Sequence, residues 1–138
     1  MIPSKIVTIP SKMEKFYGKG TMLHPSIETI TALVKTIPRG SIATIDTLSK
    51  RLANDFDTDV ACPMRTGNAL KKIAEHYSID TIDYKVPFWR VIRTNKLVIK
   101  SKNYEFSASL LEDEGFRLLY PKSGVIRVDV DTNRLFSF

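Results

Sequence analysis

Three groups of residues have side chains able to do chemistry. Cys62, the sole cysteine, stands before Pro63 at an expected helix start. A thiol there can have a lowered pKa and act as a nucleophile; the alternative is a small buried residue with no reaction to perform. One cysteine excludes an intramolecular disulfide, and one Cys with two distant histidines, His24 and His76, makes no zinc spacing, so no metal or cofactor is expected. Both histidines read as surface residues. The second group is Phe88-Trp89, with two open readings: an aromatic pocket that stacks a nucleic-acid base, or two large side chains that pack inward.

The third group is cationic. Residues 84–103 hold Lys85, Arg90, Arg93, Lys96, Lys100 and Lys102 and no acidic residue. These six charges equal the net charge of +6, since the remaining 15 basic residues balance the 15 acidic ones. A local surplus of this kind suits phosphate contact, whereas a scattered one would be an ordinary solvated surface. On the helix expected from Pro63 to Tyr77, the stripe Ala69, Leu70, Ile73, Ala74 and Tyr77 faces inward. Arg65, Asn68, Lys71 and Lys72 fall on other faces, where Arg and Asn can read base edges. Ser41 and Thr44 could donate to phosphate, and Thr44 equally suits a helix cap. Were Arg90 to turn inward, it would need a carboxylate such as Asp59.

The elements that must position these residues follow from periodicity and punctuation. With 138 residues, 43% of them hydrophobic, the chain is long enough for one domain with a real core. It lacks an apolar run of membrane-spanning length or a secretory leader, and it reads as soluble and cytoplasmic. Residues 1–23 form a basic extension, an arm or an added strand, and 24–138 form the domain. Ser26 can cap a helix carrying Ile27, Ile30, Leu33 and Val34, which Pro38 and Gly40 end. Thr44 or Asp46 can cap a second with Ile45, Leu48, Leu52 and Ala53 inward, and Pro63 opens the third. A strand is expected at Leu97–Ile99, a fourth helix from Ser107 to Gly115, and a hairpin from Phe116–Tyr120 and Val125–Val130. The resulting expectation is an α+β fold of three to four helices with short strands and a C-terminal hairpin, laid out like a winged helix-turn-helix.

Several short motifs fall in a telling order: Ile37-Pro38-Arg39-Gly40-Ser41-Ile42-Ala43-Thr44, Leu52-Ala53, Gly67-Asn68-Ala69, Pro87-Phe88-Trp89-Arg90-Val91 and Leu110-Leu111-Glu112-Asp113-Glu114-Gly115. Over about residues 26–116 the chain thereby resembles the C-terminal DNA-binding domain of the methylguanine-DNA methyltransferases. It resembles a divergent branch with Pro-Phe-Trp-Arg where the family has Pro-Cys-His-Arg. The resemblance implies a double-stranded DNA partner. It also implies that Phe88 and Trp89 stand in for the alkyl-acceptor thiol and the proton-relay imidazole, and neither side chain can perform those roles. The family's helix-intruding arginine falls at Met64, next to Arg65, and its nucleotide-rotating tyrosine falls at Ile45. Alkyltransferase-like proteins, which have Trp in place of the cysteine and bind damaged DNA without repairing it, are the related precedent.

The expectation is therefore a DNA-binding protein without alkyl transfer, related to DNA repair or damage sensing. Its contact residues would be Ser41, Thr44, Met64, Arg65, Asn68, Lys71, Lys72, Arg90, Arg93, Lys96, Lys100 and Lys102, with a pocket at Phe88 and Trp89. The alternative is a protein-interaction module on a scaffold that has lost DNA, using exposed aromatics around Phe88-Trp89 and the N-terminal arm.

Overall fold

The computed structural model describes residues 3–76, 86–100 and 104–138. Lys85, Lys102 and the Tyr77 end of the third expected helix lie outside the described residues. The chain begins with β1 (Lys5–Thr8), a 3-10 turn (Ser11–Met13), the one-turn helix α1 (Glu14–Tyr17) and β2 (Thr21–His24). It continues through α2 (Ile27–Val34), β3 (Ala43–Thr44), α3 (Ile45–Asp55), β4 (Val60–Ala61) and α4 (Pro63–His76). A 3-10 turn at Phe88–Arg90 leads into β5 (Val91–Ile92), then α5 (Tyr104–Asp113), β6 (Arg117–Leu119) and β7 (Arg127–Asp129), with a final 3-10 turn at Thr132–Arg134. The α+β class holds. The described residues contain five helices rather than three or four because the extension adds α1.

Local chemistry sets most helix ends. Ser26 Oγ accepts from Thr29 N at 3.1 Å and Thr44 Oγ1 from Thr47 N at 3.2 Å, each satisfying an amide that the first helical turn leaves without a carbonyl. Pro63 opens α4, whose first turn closes with Thr66 N donating to the Cys62 carbonyl at 3.0 Å. Gly115, at φ 86°, ends α5 with a paired reversal: Phe116 N donates to Leu111 O and Gly115 N to Glu112 O. α5 starts at Tyr104, three residues before the expected Ser107. The Tyr104 hydroxyl donates to the Gly124 carbonyl and accepts from Ile126 N at 2.7 Å, which ties this first turn to the C-terminal hairpin.

The extension proves to be an added pair of strands. β1 runs antiparallel to β2 with Lys5 opposite His24, and β2 runs parallel to β4. The expected boundary between residues 23 and 24 thus falls inside β2, and Leu23 is fully buried in the main core with Ile30, Val34, Ile42, Leu48, Leu52, Ile92 and Leu111. β3 and β5 pair in parallel, and β6 and β7 antiparallel as expected. The expected strand at Leu97–Ile99 is reduced to single bridges, Val98 with Ile92 and Leu97 with Arg127. Among the described residues no helix is long and apolar enough to cross a membrane.

Candidate nucleic-acid interface

α4 packs through Ala69, Leu70, Ile73 and Ala74, all buried. That choice leaves Met64, Arg65, Asn68, Lys71 and Lys72 exposed, Met64 at 68%. Beside α4 stands a hairpin turn built from the basic segment. Arg93 N donates to Leu97 O at 2.9 Å, Lys96 N donates to Arg93 O at 2.8 Å, and Lys96 takes the left-handed conformation at φ 69°. This geometry projects Arg93, Thr94 and Asn95 into solvent.

Between the helix and the turn runs a groove of about 680 Å³. Met64, Asn68 and Lys71, at helical spacings of four and three, line one wall; Arg93, Thr94, Asn95 and Lys100 line the other. Ile45 and Gly67 also line it, and among the described residues no acidic side chain does. Helix and basic segment thereby present three cations, Lys71, Arg93 and Lys100, to one space. Among the described residues none of the three lies within 4.0 Å of a carboxylate. Arg65 and Lys72 point to the opposite flank of α4. Lys96 is half-buried in the turn, its carbonyl accepting from Val128 N at 2.9 Å.

Thr44 is engaged as the α3 cap, its hydroxyl also 2.9 Å from that of Thr47, so the phosphate-donor reading of Thr44 gives way to its capping role. Ser41 is half-buried beside the Pro38 turn.

Two expectations require correction, and the open reading of Cys62 resolves to the small buried residue. Phe88 and Trp89 are each only 4% exposed and pack edge to face at 5.2 Å, and among the described residues they line no base-sized pocket. The space remaining beside them is about 10 Å³, the limit for a single water molecule. Arg90 is no phosphate contact: its Nε donates to both carboxylate oxygens of Glu114, at 2.9 and 3.0 Å, and its Nη1 to the Ile37 carbonyl at 2.8 Å. Asp59, the partner suggested by sequence, instead accepts from Thr21 N at 2.8 Å. Cys62 lies buried in a small apolar cluster with Ile9 and Met22, which denies substrate any access to its thiol.

Sequence reasoning missed Glu114. Its carboxylate is 2% exposed and accepts from Trp89 Nε1 at 2.5 Å, from Arg90 and from Gly40 N at 2.9 Å. The signal was present in Leu110–Gly115, a motif that supplied alignment but showed no role for its charge. Arg134 was missed as well: it donates to the carbonyls of Gly40, Glu114 and Gly115 while its guanidinium lies 3.7 Å over the Phe116 ring. Glu114 thus holds Trp89 and Arg90 inward, and Arg134 fixes the Gly40 and Gly115 turns beside it.

Comparison with solved structures places the fold. The crystal structure of S. pombe Atl1 in complex with damaged DNA containing O6-carboxymethylguanine is similar at TM-score 0.59 and 19% identity, covering 81% of this chain and 94% of that one. In fold, the chain resembles the alkyltransferase-like proteins. A structure of S. pombe ATL in complex with DNA gives TM-score 0.58 at 18% identity with the same coverage. No protein-family model matches the chain, and no curated protein does. The methyltransferase and alkyltransferase-like resemblance read from the motifs is thus upheld at the level of fold.

Proposed function

We propose that this protein binds double-stranded DNA through α4 and the Arg93–Lys96 turn, without alkyl transfer, and that it works by recognition. One observation carries the reading: the groove between these two elements gathers Lys71, Arg93 and Lys100 with Asn68, and among the described residues no carboxylate lines it. Cations in such a groove neutralise phosphates and release counterions, and Asn68 offers an amide able to hydrogen-bond a base edge. The fold neighbours support the reading, since each was crystallised with DNA.

Alkyl transfer needs a nucleophile at the bound base. Phe88 and Trp89 supply none, and Cys62 is enclosed in apolar contacts. Damage sensing would rest on how α4 and the turn meet a distorted duplex, because among the described residues Phe88 and Trp89 leave no space for an extruded base. The protein-interaction alternative loses the Phe88-Trp89 half of its contact surface, which is buried, and keeps only the N-terminal arm, where Phe16 and Tyr17 are exposed.

Charge reversal tests the proposal. In fluorescence anisotropy with a labelled duplex, Lys71→Glu combined with Arg93→Glu should weaken binding by about tenfold or more at moderate salt. Both side chains are exposed, so the thermal melting of the variant should match that of wild type. Unchanged affinity in a folded double variant would remove the groove from the account.

A further inference from the structure

A second groove, of about 660 Å³, runs along the opposite flank of α4. Arg65, Asn68 and Lys72 form its helix wall, at spacings of three and four, and Lys5, His24 and Glu28 face them from β1, β2 and the first turn of α2. Asn68 lines both grooves and so stands on the crest between them. The opposite wall is rigidly held. Lys5 is the strand-register partner of His24, and Ser4 Oγ accepts from Ser26 N at 2.8 Å, pinning β1 to the start of α2.

We propose that this groove holds the sugar–phosphate backbone of the second strand of the duplex, so that α4 lies between two backbones with Asn68 facing the base edges. The inference rests on the DNA-binding reading above and extends the interface to the N-terminal strand pair. Two observations support it beyond the shape. Among the described residues, Lys5, Arg65 and Lys72 have no carboxylate within 4.0 Å, whereas the cations of α3 are paired along their helix, Lys50 with Asp46 at 3.1 Å and Arg51 with Asp55 at 2.8 Å. Unpaired cations on facing walls repel one another, and an anion between them relieves that repulsion. The local field is visible at His24, whose pKa is lowered by burial first and then by Arg65 and Lys5, despite Glu28 on the same groove.

A duplex carries a backbone on each side of either of its grooves, and a helix entering one is flanked by both. A single strand offers only one. The assignment therefore predicts a selective effect. Lys5→Glu combined with Lys72→Glu should raise the duplex Kd about tenfold or more and make the salt dependence of log K shallower by about 1.8, the value for two phosphates. Affinity for a single strand of the same sequence should change by less than about threefold.

The anisotropy titrations compare wild type, this variant and Lys71→Glu/Arg93→Glu on both DNA forms, with melting curves to establish folding. Loss on the duplex alone supports the second-strand assignment. Unchanged duplex affinity in the folded Lys5/Lys72 variant, while the Lys71/Arg93 variant loses binding, would overturn it and leave the first groove standing. Equal losses on duplex and single strand would also overturn it. Failure of wild type to bind any DNA would instead remove the underlying reading.

Discussion

At the scale of single residues, the decisive side chain is Glu114. Its buried carboxylate collects Trp89, Arg90 and the Gly40 amide, joining the 3-10 turn before β5 to the loops on either side of the core. Removing one partner of a buried pair leaves the other charge uncompensated, a cost of about 3–5 kcal/mol. Glu114→Gln should lose stability of that order in urea unfolding, and a loss below about 1 kcal/mol would show that Arg90 finds water instead. Trp89 is the sole tryptophan, so its fluorescence reports on this site alone. Held against Phe88 and Glu114, it has no free face for a base; its emission should stay unchanged as DNA is added. Saturable quenching would show that a base does stack there.

At the scale of elements, the helices were largely legible because their ends are written in local chemistry. Ser26 and Thr44 cap where their hydroxyls reach the third following amide, and Pro63 and Gly115 suit a first turn and a left-handed stop. Thr44→Ala should therefore cost about 1 kcal/mol of stability through loss of the α3 cap, and Thr44→Ser should recover most of it. If Thr44→Ala weakened DNA binding with no change in stability, the phosphate-donor role would return. What stayed hidden depends on contacts between distant segments. The pairing of β1 with β2 spans an intervening turn and helix, and β2 is completed by β4, some forty residues further on. Arg90 illustrates the same limit within the site. It sits in the most basic stretch of the chain, yet its direction is set by a 3-10 turn and by Glu114, 24 residues away. Lys71, Arg93 and Lys100 were legible as cations; their convergence on one groove needed the fold.

At the scale of the whole molecule, the charge surplus divides by role. α3 carries cations already paired with its own carboxylates, and Arg90 and Arg134 are spent inside the fold. The cations that remain beside α4 line two grooves on its flanks. Net charge alone could not distinguish these groups, because +6 is the same sum whether the arginines face solvent or Glu114. The N-terminal strands, which contribute Lys5 and His24, extend the charged surface beyond the helix and the turn.

The most direct test of DNA recognition is the salt dependence of duplex binding by the wild-type chain. Each neutralised phosphate contributes about 0.9 to the slope of log K against log salt. Lys71, Arg93 and Lys100 alone predict a slope of about −3, and engagement of both grooves predicts a steeper one, near −5. Absence of binding at low salt, or a slope near zero, would contradict the account.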